Sequence, residues 1–258
     1  GINMRKTYID NIRWMTVVLV VIYHVFYMFN GEVTSGVIGP FTPVQYQDVV
    51  QYFVYPWFML LLFVISGMSA RFYLNGHSDK EFLKSRTTKL LVPSTIGLFV
   101  FWWILGYYNM MIGGAFENMS AVPKPLLYVI MAGSGIGALW YIQLLWVVSL
   151  FLLFIRKIEK DRFYGVCEKA NLPVLLCMTP VIWGTAQVLI TPVIVVYRFG
   201  IYGVGFLLGY FIFSHDAVME RLEKWWIPLT LAALGLGIGF VFTFWGAPYA
   251  EHQVLDTF

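Results

Sequence analysis

The chain has 258 residues, of which 59% are hydrophobic and only 12% charged, and its mean hydropathy is +0.73. A soluble domain of this size carries about 25% charged residues, so a soluble globular fold is excluded and the chain reads as an integral membrane protein. The formal net charge of +3 is not a nucleic-acid footprint, because the basic residues sit in short segments between apolar runs, where loop charge belongs.

Lipid admits only helix bundles and closed barrels as spanning structures. Barrel strands would read as alternating segments of about ten residues. Here the apolar runs are near twenty residues long and do not alternate, so helices are expected throughout. In chain order the candidate spans are Ile12–Phe29, Tyr52–Tyr73, Leu90–Ile112, Gly135–Ile155, Leu172–Ile190, Val193–Phe213 and Trp226–Trp245. Pro125–Gly133 is a shorter apolar piece, expected to lie at the interface. The fold class is therefore an all-α polytopic transmembrane bundle of about seven helices, forming a single domain over residues 1–258.

The loops set the orientation. With a cytoplasmic N-terminus, 15 of the 17 Lys and Arg residues fall on the cytoplasmic side, leaving Lys124 and Arg198 outside. No cleavable leader is read at the start, since the first run is long and lacks a small-residue cleavage site. Cys167 and Cys177 are too few to suggest a disulfide framework, and no metal site is expected. Trp57, Trp102, Trp103, Trp140, Trp225, Trp226 and Trp245 mostly fall near run ends, as an aromatic belt would.

Ionisable residues inside a span are costly and mark functional places. No Asp or Glu lies well inside any run, and His24 is the one embedded histidine. Arg13 and His24 are eleven residues apart. At about 100° per residue they share one helix face, with about 16 Å between them along the axis. A cation at the mouth and an imidazole deeper in suit one wall of a reaction pathway, and the imidazole can act as a general base. The competing reading is an interfacial anchor and a hydrogen-bonded core histidine. Arg198, six residues into its run, either snorkels outward or lines an acceptor site. Ser66 beside Gly67 reads as close helix packing before it reads as a nucleophile. Gly133, Gly135 and Gly137 read as a flexible helix entry, and His77, His215 and His252 as solvated loop residues.

Several stretches in order resemble the acyltransferase-3 family of integral membrane O-acyltransferases. They are Asp10-Asn11-Ile12-Arg13 with His24 ten intervening residues on, Phe63–Met68, Arg86-Thr87-Thr88-Lys89 before Leu90 and Pro93, Leu139–Ile142, and more weakly Gly203–Tyr210. The resemblance implies an acyl-CoA donor, commonly acetyl-CoA, as co-substrate with no bound cofactor. It implies a hydroxyl acceptor on a carbohydrate or cell-envelope glycan, and a bacterial inner-membrane location. Carried over residue by residue, it makes His24 the base and Arg13 its catalytic companion. Arg86, Lys89, Arg71, Trp140, Tyr141, Gln143 and Arg198 are then expected to bind substrate, the cations meeting the CoA phosphates.

Three departures matter. Lys89 stands where the family usually has Arg, which removes a bidentate phosphate contact. Gln143 and Leu144 follow Trp140-Tyr141 where relatives show an acid. The family usually has about ten helices, so this chain is expected to be a piece of a longer bundle, with further helices following. The rival from another class is a transporter or channel. No embedded carboxylate for coupling and no inverted repeat supports it. A haem carrier would need a second axial ligand, and a retinal protein a lysine in a helix core. The oligomeric state is not legible in the sequence.

Overall fold

The computed structural model describes residues 6–29, 48–189 and 198–245. Among these residues there is no strand, and each of the seven apolar runs carries a helix. We number the helices α1 (Thr7–Met28), α2 (Val49–Leu74, broken at Tyr55–Trp57), α3 (Asp79–Ile112), α4 (Lys124–Ser134), α5 (Leu139–Glu159), α6 (Arg162–Cys167), α7 (Leu172–Thr185), α8 (Phe199–Phe213), α9 (Asp216–Glu223) and α10 (Trp226–Phe244). Of these, α1, α2, α3, α5 and α10 are each long and apolar enough to cross a membrane. The bent pair α8–α9, which turns through 93°, makes a sixth candidate. The remaining run contributes α7, whose 14 residues span about 21 Å.

Two helix starts and one histidine differ from the sequence expectation for physical reasons. Helix α3 begins at Asp79 rather than Leu90, because Ser78 and Glu81 form a reciprocal capping box. The Ser78 hydroxyl accepts from the Glu81 N–H at 3.2 Å, and the Glu81 carboxylate accepts from the Ser78 N–H at 2.7 Å. Lys80, Lys84, Arg86 and Lys89 are therefore helical, not loop residues. Helix α8 begins at Phe199 with Arg198 at its N-cap, so Arg198 marks a helix start instead of lying two turns inside one. His215 is buried rather than solvated: it caps α9, stacks on Tyr164 at 4.0 Å, and its Nε2 lies 2.9 Å from the Tyr164 carbonyl. His252 falls outside the described residues.

Close packing rests on glycine. A Cβ added at Gly67 would stand 1.9 Å from the Phe206 carbonyl oxygen, and one at Gly209 would stand 1.9 Å from that of Val64. Helices α2 and α8 thus meet backbone to backbone, the small-residue contact used where lipid supplies no hydrophobic drive between helices. Helices α3 and α4 cross in the same way at Gly106 and Gly135. Around the α2–α8 contact the core is filled by Phe63, Phe206 and Tyr210, with α5 packed against it. Gly67→Ala should destabilise the protein by about 1–3 kcal/mol through overpacking, whereas Gly203→Ala, whose Cβ would meet nothing within 4 Å, should be tolerated. Thermal melts of the two purified variants check the contrast.

Helix α1 packs on α2 along Ile9, Thr16 and Tyr23, a seven-residue stripe. Ile9 lies with Met68, and Tyr23 lies with Phe58, so the two helices are antiparallel. The charged residues gather at one end of the bundle. There Arg71 pairs with Asp161 at 2.7 Å, and Arg156 pairs with Asp79 at 3.2 Å. Lys6 pairs with Asp216. Both Arg71 and Arg156 donate to the Tyr210 hydroxyl, and the Arg71 guanidinium lies 3.5 Å from the Tyr164 ring centre. This network ties α2, α3, α5, α6 and α8 together. Cys167 is buried beside it, and burial pushes its thiol above the usual range.

Candidate active site

The site is built on the α1–α2–α5 contact. At the charged end, Arg13 on α1 reaches across to α2, where one guanidinium nitrogen donates to the Ser69 hydroxyl at 2.5 Å. Its other arm meets Asp10, one turn back on the same helix, at 3.3 Å. Arg86 enters from α3 with its guanidinium 4.9 Å from the Phe82 ring centre. The Arg13 and Arg86 charges act on each other and both act on Tyr141 of α5. Among the described residues no carboxylate pairs with Arg86. Two guanidinium groups served by a single acid leave an uncompensated positive site, which is what an anionic ligand requires.

One turn further into the bundle from Ser69, the Ser66 hydroxyl and the Tyr141 hydroxyl are 2.8 Å apart. Beyond them the lining turns aromatic. Phe63 meets Tyr141 edge-on at 5.0 Å and stacks with Tyr202 at 4.8 Å, and Trp140 lies 5.3 Å from Tyr202. Tyr55, at the break in α2, continues the series and is hydrogen-bonded by Arg198, whose guanidinium lies 5.9 Å from its ring centre. Tyr23 stacks on Tyr55 at 6.1 Å and meets His24 edge-on at 5.4 Å. Arg13 and His24 are thus linked by a row of packed polar and aromatic side chains contributed by four helices.

His24 itself is exposed on α1. Its Nδ1 lies 2.7 Å from the Val20 carbonyl oxygen. A carbonyl can only accept, so Nδ1 is the donor, and in the neutral ring Nε2 is the nitrogen that holds the lone pair. Among the described residues Nε2 has no partner. This is the tautomer a general base needs, and the backbone carbonyl fixes the ring's orientation.

Not every expected residue converges here. Lys89 and Arg86 are three residues apart, a spacing that would place them on one side of a regular helix. The stretch Thr87–Leu91 is instead π-helical, because Pro93 cannot donate to the Lys89 carbonyl and its ring crowds that turn. The wider turn rotates Lys89 away from Arg86, into a shallow groove between the end of α2 and α3. Arg71 is engaged by Asp161, Tyr164 and Tyr210, at the charged end but apart from Arg13. Gln143 is half-buried on α5, two residues beyond Tyr141. Sequence reasoning passed over Asp48 and Gln51, a buried pair 3.2 Å apart at the start of α2. Both stand just before the apolar run, and their burial is a tertiary property with no local signal.

No curated protein and no solved structure matches this chain. A family model described as an acyltransferase domain, that of acyltransferase-3, matches residues 6–257. That match covers nearly the whole chain and agrees with the helical, multi-pass architecture, so the chain belongs to the acyltransferase-3 family of membrane acyltransferases.

Proposed function

We propose that the protein transfers an acyl group, acetyl by preference, from acyl-CoA to a hydroxyl of a carbohydrate or cell-envelope glycan in a bacterial inner membrane. The observation that carries this reading is the row of polar and aromatic side chains that runs from the guanidinium groups of Arg13 and Arg86 to the free Nε2 of His24. Those ends are separated by eleven residues of α1, about 16 Å. The pantetheine arm of CoA, twelve bonds from phosphate oxygen to sulfur, extends to about 14 Å by the same bond geometry that sets chain reach. A pyrophosphate held at Arg13 and Arg86 therefore brings the thioester beside His24.

In this mechanism His24 Nε2 removes the proton from the acceptor hydroxyl. The oxygen attacks the thioester carbonyl carbon, the C–S bond breaks, and the imidazolium returns its proton to the departing thiolate. Tyr141, Trp140 and Gln143 line the arm, and Ser66 orients the Tyr141 hydroxyl. Arg198 and the tyrosines around it form the acceptor side, where sugar rings stack on aromatic faces. The charged end faces the cytoplasm, in keeping with the rule for basic loops. Arg71 acts on this site indirectly, by holding the charged end together.

Acetyl-CoA does not cross membranes, so sidedness tests the reading. Inverted inner-membrane vesicles carrying the protein should release CoA from added acetyl-CoA and acylate an envelope glycan, detected by mass spectrometry. Right-side-out vesicles should release none. Equal release from both, or release from neither, would overturn it.

A further inference from the structure

A shallow groove between the end of α2 and α3 receives Lys89, and nothing in the mechanism above uses it. It has a volume of about 340 Å³ and is lined by Tyr73, His77, Glu81, Lys84, Ser85, Thr88 and Lys89, within the roughly 300–1,000 Å³ of small-molecule sites. Its floor is a pair of parallel rings. His77 lies on Tyr73 with 4.0 Å between centres and 11° between planes. The His77 Nδ1 is 3.0 Å from the Tyr73 carbonyl, so the imidazole is fixed flat, and His77 is exposed, with its outer face open.

The polar wall is one-sided. Lys84 and Lys89 are exposed, and among the described residues neither has a carboxylate partner. The Glu81 carboxylate is turned toward the start of α3, where it accepts from the Ser78 N–H at 2.7 Å and the Ser78 hydroxyl at 3.0 Å. Two ammonium groups and the Ser85 and Thr88 hydroxyls thus flank a fixed ring surface. That combination matches an aromatic base joined to a phosphomonoester, the base stacking and the phosphate taking charge-assisted hydrogen bonds. A lipid headgroup would use the ammonium groups but has no ring for the platform. The groove neighbours the acyl-transfer site along α3, since Lys84 and Lys89 flank Arg86 on that helix.

We propose that this groove binds the 3′-phosphoadenosine end of the CoA donor, with the adenine on His77 and the 3′-phosphate between Lys84 and Lys89. The assignment rests on the acyl-CoA reading above and adds a nucleotide subsite to it. It predicts discrimination against a donor that lacks only the 3′-phosphate.

Two measurements on the purified full chain separate this proposal from that reading. The first is equilibrium binding of adenosine 3′,5′-bisphosphate, 5′-AMP and inorganic phosphate. Wild type should bind the bisphosphate saturably and 5′-AMP at least about tenfold more weakly. The double variant Lys84→Gln/Lys89→Gln should lose about tenfold or more for the bisphosphate only. His77→Ala should weaken both nucleotides and leave inorganic phosphate unchanged. Absence of saturable bisphosphate binding overturns the assignment. So does a bisphosphate affinity that His77→Ala leaves untouched, which would mark an anion or headgroup site. The second measurement is turnover with acetyl-CoA against its 3′-dephospho form. Equal KM values for the two donors overturn the groove and spare the acyltransferase reading. Bisphosphate binding with no turnover of either donor keeps the groove and sinks that reading.

Discussion

Replacing His24 with alanine is expected to lower acyl transfer by roughly 10²–10⁴-fold, the usual weight of a general base, with the bundle still folded. The side chain is exposed and its one hydrogen bond goes to its own helix, at Val20. A histidine retained for packing would be buried and bonded to a neighbouring helix, and its loss would lower the melting temperature. His24→Ala should instead leave the melt within about 0.5 kcal/mol of wild type, as surface substitutions do. Its affinity for acetyl-CoA should also survive, because the phosphates lie about three helical turns away. The measurement is single-turnover transfer together with a donor titration and a thermal melt. Near-normal transfer by His24→Ala would place the base elsewhere.

Arg86→Ala should weaken apparent acyl-CoA affinity about tenfold or more, the loss expected of one charge-assisted contact. Stability should move the other way or not at all. Arg86 acts electrostatically against Arg13 with no acid of its own among the described residues, so removing it relieves like-charge repulsion in the ligand-free protein. A site that sacrifices stability for binding behaves in this way. Arg71 supplies the contrast. Its guanidinium pairs with Asp161 and donates to Tyr210, and Asp161 is held at a positive φ of 60°, a backbone state that non-glycine residues adopt only under constraint. Arg71→Ala should therefore lower the melting temperature and change donor affinity less than Arg86→Ala does. If Arg86→Ala leaves donor affinity intact and instead disrupts membrane insertion, the residue is a topology signal and its assignment here is wrong.

The sequence by itself determined that the chain is a multi-pass helical membrane protein. An apolar run near twenty residues long can satisfy its backbone in lipid only as a helix, and that constraint needs no partner. It also determined that Arg13 and His24 share a face, because helical periodicity is local. The ordered short stretches were enough to suggest the family. The structure moved the start of α3 back to Asp79, since the local Ser78–Glu81 capping box outweighed the polar composition of that stretch. It decided that Lys89 and Arg86 part company, because Pro93 forces a wider turn that regular spacing does not anticipate. It brought Ser66 to Tyr141 and Arg198 to Tyr55, across helices far apart in the chain. It engaged Arg71 with Asp161, 90 residues away. The last three contacts join distant segments and leave no periodic trace in the residues that make them, whereas the capping box and the proline turn are local devices within α3 that apolar periodicity does not register.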